Sequence, residues 1–138
     1  DDEDVFVEEE LAPQVADQQA AVSARAAAVR AALQRSDTFT AVTTALQAPP
    51  VGKDVQALKD ANTQTVLEAL MAVRQADMGA IVAKLPQEQV DVLMKYIYRG
   101  MASPEVYNAA TLLAWHEKTV EVGGLGCVSR VLTDRNTV

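Results

Sequence analysis

A chain of 138 residues with a formal charge of −7 suits one domain, and a chain of this size buries roughly two-thirds of its unfolded surface. Apolar residues make up 49%, mostly Ala, Val and Leu, and only 4% are aromatic, which fits a small helical domain with Ala at close helix contacts. Seven of the nineteen carboxylates lie in residues 1–10, "DDEDVFVEEE", while the remainder balances twelve acids against twelve bases, so the body lacks the basic patch that nucleic acid or anionic lipid requires.

No apolar run nears the roughly 20 residues of a membrane span. The single Cys127 has no second cysteine to pair with, no secretory signal is visible, and the absent initiator Met suggests numbering that starts inside a longer chain. These features lead to the expectation of a cytoplasmic protein with no membrane or nucleic-acid partner.

In chain order, residues 1–13 read as an extended acidic tail and residues 14–138 as a helical domain. The tail is dense in charge, lacks apolar periodicity and is closed by Pro13. Val5-Phe6-Val7, set among its acids, has the form of a linear motif in which Phe6 anchors in a pocket while the carboxylates steer docking. Residues 15–35 form an Ala-rich helix with Val22, Val29 and Leu33 on one side. Asp37 is placed to cap a second helix carrying Phe39, Val42 and Leu46, which Pro49-Pro50 stops. A third helix is predicted over about 54–74, its second half buried on two sides. Asp77 is expected to cap a short fourth helix ending near Leu85, and Pro86 to open a fifth. In the fifth helix Val90, Leu93, Met94, Ile97 and Met101 form a tight stripe, with Gly100 marking the end. Ser103-Pro104-Glu105 reads as the start of a sixth helix, closed by Gly123-Gly124, and Leu125, Val128, Val131 and Leu132 begin a seventh.

No useful stretch alternates with period two. Asp37 and Asp77 lie 40 residues apart, each ahead of a short helix that follows a long one, which hints at stacked helix pairs. The fold class is therefore all-α: about seven helices in an α-α superhelix, with the extended acidic N-terminal tail.

The segment "LLAWHEKTVEVGGLG" holds the only Trp and the only His. A zinc site of the H-E-x-x-H kind needs a second His at position 120, which is Val. Pairing His116 with Cys127 or Ser129 lacks any accompanying nucleophile elbow. "GGLG" lacks the lysine of a phosphate loop. On a helical wheel His116 falls in the stripe of Ala109, Leu113 and Val120, which predicts a buried His hydrogen-bonded across a helix contact. Trp115 and Tyr96 fall off the stripes of their helices and predict either a second intrachain layer or a partner surface. No metal, cofactor or catalytic residue is expected.

"VDVLMKYIYRG", "LLAWHEK", "GGLG" and the closing "RVLT-x-R-x-TV" resemble subunit 5 of the actin-related protein 2/3 complex. The resemblance is strongest over Pro86–Val138; "FVEEE" and "QAPPV" extend it toward the N-terminus. It implies an all-α, non-catalytic subunit of an assembly that nucleates branched actin filaments. The body would dock on the β-propeller subunit and contact subunit 4, and the tail residues Phe6, Val7, Glu8 and Glu9 would tether actin-related protein 2. The signature positions in the body are Met94, Lys95, Tyr96, Ile97, Tyr98, Trp115, His116, Glu117, Lys118, Gly123, Gly124 and Arg130. Cys127-Val128 stands where the family commonly has Ser-Ile, Asp134 and Asn136 soften a usually more basic end, and the first helix is unusually rich in Ala. A helical-repeat adaptor acting alone and binding peptides is the competing class.

Overall fold

Polar and apolar periodicities divide the chain into α1 (Asp2–Gln34), α2 (Thr38–Ala45), α3 (Gln56–Ala72), α4 (Gln75–Lys84), α5 (Gln87–Met101), α6 (Ala109–Gly123) and α7 (Gly126–Thr133). This is a computed structural model; it describes residues 2–134 and 136–138, with side chains from Val15 onward. Among the described residues there are seven helices and no strand. The extended tail expected over residues 1–13, with Phe6, Val7, Glu8 and Glu9, lies outside the residues described with their side chains.

The helices stack as α1 and α2 against α3, α3 against α5, and α5 against α6 and α7, while α4 lies against α6. One continuous core runs through them, from Val29 and Ala32 on α1 to Leu112 and Trp115 on α6. The α1–α2 junction is tight because Ser36 takes φ 58°, which lets Asp37 N–H reach the Ala32 carbonyl at 2.9 Å. Asp37 then caps α2, its carboxylate accepting from Thr40 N–H at 3.2 Å, as its position predicts. Of the stripe of α5, Val90, Leu93, Met94 and Ile97 are in the core as read, and Met101 is half-buried at its edge. Glycine closes α6 as read: Gly124 takes φ 80° and its N–H bonds the Val120 carbonyl at 2.8 Å.

Four boundary expectations are corrected. Asp77 is not a cap: α4 starts two residues earlier behind Arg74, and Asp77 lies in the first turn, paired with the Arg74 side chain at 3.2 Å. The hinted repeat weakens with it, since α4 rests on α6. Pro86 sits one residue ahead of the first helical position of α5. Ser103-Pro104-Glu105 forms a turn, closed by Val106 N–H on the Ser103 carbonyl at 3.0 Å, and α6 begins later behind Asn108, whose side chain accepts from Thr111 N–H. Gly100 does not stop α5. It is buried where a Cβ would come within 2.8 Å of Leu67 Cδ1 and 3.0 Å of Leu112 Cδ1, so its role is close approach of α5 to α3 and α6.

Hydrogen bonding to Thr40, first to its side chain and then to its N–H, holds Asp37 below the usual carboxylate range. A depressed folded pKa adds stability above the unfolded value of about 3.9 and loses it as pH falls through the folded one. Asp37→Asn keeps a capping oxygen without the titration. On acidification below about pH 4 the thermal midpoint of the unmodified chain should therefore fall further than that of the variant; parallel falls in a calorimetric pH series would contradict the cap assignment.

Candidate partner-binding surface

The signature residues separate into an interior set and a surface set. Met94, Tyr96 and Trp115 are fully buried. Trp115 Nε1–H donates to the Leu70 carbonyl at 2.9 Å, and Thr119 Oγ donates to the Trp115 carbonyl at 2.6 Å. The intrachain reading of Trp115 and Tyr96 is therefore the one the fold adopts. The wheel placement of α6 is corrected: Leu112, Trp115 and Thr119 form the buried face, and Leu113, expected inside, is 61% exposed. A hydroxyl bonded back to its own helix takes a core position that a polarity count assigns to solvent.

Tyr96 sits in a buried polar chain that the sequence reading missed. Arg25 Nη1 donates to Asn62 Oδ1 at 2.8 Å, Asn62 Nδ2 donates to the Tyr96 hydroxyl at 2.6 Å, and Arg25 Nη2 donates to the Ala48 carbonyl at 3.1 Å. Burial lowers Arg25 from its ordinary value, against the pull of Tyr96, though a guanidinium keeps its charge. Burial likewise raises the Tyr96 phenol, opposed by the bond from Asn62 and by the charges of Arg25 and Arg99. Among the described residues no buried side-chain nitrogen or oxygen lacks a partner.

Position could have found these groups. Val22, Arg25, Val29 and Ala32 recur at helical spacing on α1, and Lys59 and Asn62 continue a stripe from Val55 to Val66 on α3; all are buried.

The surface set surrounds this interior. His116 is half-buried, and its Nε2 lies 2.9 Å from the Tyr98 hydroxyl with the rings edge to face at 5.5 Å. The hydrogen bond across a helix contact is as read; full burial is not. Cys127 Sγ bonds the Gly124 carbonyl at 2.9 Å. The described residues thus give His116 and Cys127 separate partners. Glu117 is exposed, and Lys118 reaches Glu121 at 3.4 Å. Arg130 Nε meets both carboxylate oxygens of Asp91, at 2.9 and 3.0 Å, tying α7 to α5; that bond raises Arg130 above its ordinary value. Asp134 and Asn136 are exposed but bonded: the Lys95 ammonium bonds the Asp134 carboxylate and the Asn136 carbonyl, Lys59 donates to Thr137 Oγ, and Arg99 bridges Asp60 and the Val138 carbonyl. Exposed apolar side chains remain on the outer sides of α6 and α7, at Leu113, Val122, Leu125 and Leu132. No group of residues able to hold a metal ion occurs among the described residues, and none of their helices is long and apolar enough to cross a membrane.

These features define a helical scaffold whose Trp and His are bonded within the chain and whose exposed apolar side chains include several on its last two helices. The chain matches the family of the ARP2/3 complex 16 kDa subunit (p16-Arc) over residues 1–138 and belongs to it. The actin-related protein 2/3 complex subunit 5-like protein of Homo sapiens is 42% identical over 106 residues, 77% of this chain and 69% of that protein. Subunit 5-B of the same complex from Xenopus laevis is 35% identical over 137 residues, covering 99% and 88%. Subunit 5 from Dictyostelium discoideum is 35% identical over 123 residues, covering 89% and 88%.

Asn62→Ala leaves the Arg25 guanidinium without one acceptor and Tyr96 without its donor, both inside the body. It should lower unfolding stability by about 3 kcal/mol, against about 1 kcal/mol for Tyr96→Phe. Urea titration measures both. Equal, small losses would show that water already reaches these groups.

Proposed function

We propose that the chain is a non-catalytic structural subunit of the actin-related protein 2/3 complex and supports nucleation of branched actin filaments at the cytoplasmic actin cytoskeleton. The observation that carries this reading is the family match along the whole of residues 1–138. Its partners are the other subunits: the body docks on the β-propeller subunit and contacts subunit 4, and the tail holds actin-related protein 2.

The internal bonding of the body supports this division of labour. Arg25, Asn62, Tyr96 and Trp115 are satisfied within the chain, so docking leaves their bonds intact. The apolar side chains left outside, Leu113, Val122, Leu125 and Leu132, and the half-exposed Tyr98, His116 and Arg130 are available to a partner's surface. In the tail, Phe6 and Val7 supply an apolar anchor and Glu8 and Glu9 the charge that speeds encounter with a basic surface. A tether of this kind works by effective concentration. Once the body is fixed, each rebinding of the tail is intramolecular, so a mobile partner moves between positions without being lost.

Phe6→Ala should reduce the actin-related protein 2 retained when the complex is purified through this subunit. The β-propeller subunit should remain at full yield, and the melting curve of the isolated variant should shift by no more than about 0.5 kcal/mol equivalent. Undiminished retention of actin-related protein 2 refutes Phe6 as anchor.

A further inference from the structure

Between α1 and the loop after α2 lies an open hollow of about 430 Å³. Its walls are apolar, from Ala21 and Val22 on the helix and Pro49, Pro50 and Val51 on the loop. Along α1 the lining runs from Asp17 to Arg25, a rise of about 12 Å, so its one acid and its one base stand two turns apart. Val51, on the lip, is 67% exposed.

Arg25 sets the character of the hollow. It is only 9% exposed, and an arginine so withdrawn from water is ordinarily matched by a carboxylate. Here both acceptors it reaches, the Asn62 side chain and the Ala48 carbonyl, are neutral, and no ion pair among the described residues includes it. A guanidinium has five N–H donors, and these two bonds use one on Nη1 and one on Nη2. The side chain therefore keeps donors for an anion without giving up either internal bond. Ala48, whose carbonyl it holds, sits at φ 38°, a left-handed conformation costly to a residue with a Cβ. The opposite lip is fixed as well: the Gln18 side chain accepts from Val51 N–H at 2.7 Å and donates to the Val51 carbonyl at 3.1 Å. The hollow is thus braced from both sides around a cation that has no counter-charge.

We propose that this hollow docks a short extended segment of a partner polypeptide in which a bulky apolar residue and an Asp or Glu stand two positions apart, the apolar side chain between Val22 and the diproline wall and the carboxylate on Arg25. Charge complementarity selects the acid, and the apolar walls select its companion. Size selects the form: 430 Å³ lies at the small end of binding pockets, which run from about 300 to 1,000 Å³, and suits one or two side chains rather than the face of a helix. Spacing agrees. From Ala21 to Arg25 the helix rises about 6 Å. Residues two apart on an extended chain point the same way and stand about 6.6 Å apart. Asp17 repels an acid from the other end and so gives the segment one direction. The backbone N–H and carbonyl of Val51 are both taken by Gln18, so the segment binds through its side chains and not as an added strand. That the occupant is a polypeptide rests on the subunit reading above. Co-purification tests that reading, and the following titrations use the full chain alone, so the two fail separately.

A fluorescein-labelled peptide of sequence GSFSEGS serves as probe, titrated by anisotropy against the full chain. The amide control GSFSQGS and the truncated control GSASEGS should each bind at least about tenfold more weakly. Ala21→Glu, at an exposed position on the wall, sets a carboxylate one helical turn ahead of Arg25 and supplies the missing counter-charge from within the chain. It should weaken probe binding at least about tenfold relative to Ala21→Gln, which matches it in size without the charge, and should raise the thermal midpoint above that of Ala21→Gln. Absence of probe binding, equal binding of the peptide and its amide control, or equal binding and equal midpoints for the two Ala21 variants overturns the proposal. A concentration-dependent dimer that the probe dissociates overturns the partner assignment, since it seats a second copy in the hollow.

Discussion

A guanidinium withdrawn from water must be given hydrogen-bond acceptors or it destabilises whatever surrounds it. Arg25 obtains them from Asn62 on α3 and from the carbonyl of Ala48 beyond α2, and Asn62 passes the connection to Tyr96 on α5. One chain of three bonds therefore fixes the relative positions of α1, α3, α5 and the diproline loop. Apolar packing alone is less selective. Among the described residues of α1 only Val22, Val29 and Ala32 are buried beside Arg25, and most of the helix's alanines are exposed. A slide of one turn along α3 would strand a buried cation. The polar chain therefore adds register to this small apolar contact, and the surrounding core excludes the water that would weaken its bonds.

Trp115 plays a matching part on the other side of the body. Its indole N–H satisfies the carbonyl of Leu70 near the end of α3, and its fully buried ring belongs to the continuous core. Gly100 lets α5 approach Leu67 and Leu112 more closely than a Cβ would allow. The segment after α7 is drawn back by Lys59, Lys95 and Arg99, which places Val138 in the core. The rare side chains of the sequence are therefore architectural, and the question raised by a Trp and a His beside glycines is answered by packing. Among the described residues, apolar side chains remain outward at Leu113, Val122, Leu125 and Leu132 near the C-terminal end and at Val51 and Val106 elsewhere.

Helix number and order were legible because apolar spacing and breakers agree: the α5 stripe ends up buried, Asp37 caps α2, and the glycines close α6. The misreadings share a physical origin. Ser-Pro-Glu satisfies the same local preferences in a turn as at a helix start, and only the packing of Leu112 and Trp115 decides between them. Leu113 and Thr119 exchange the sides that polarity assigns, since a threonine bonded to its own helix presents a methyl group to the core. Arg25 and Asn62 stood on apolar stripes, so their burial was legible from spacing, but that they bond each other was not, since the partner lies far along the chain. The family resemblance rested on C-terminal motifs that mix core residues such as Met94, Tyr96, Ile97 and Trp115 with exposed ones such as Glu117 and Arg130, so the motifs alone do not separate scaffold from surface.

As a proposed subunit, this body serves by being fixed among other polypeptides. The most direct measurement is purification of the full chain, tagged at its C-terminal end, from native extract under gentle conditions, with size-exclusion and mass-spectrometric identification of everything that accompanies it. The prediction is elution at several times the size of a lone 138-residue chain, with the other subunits of the actin-related protein 2/3 complex in equal stoichiometry. Elution at the size of the single chain, without companions, would contradict it.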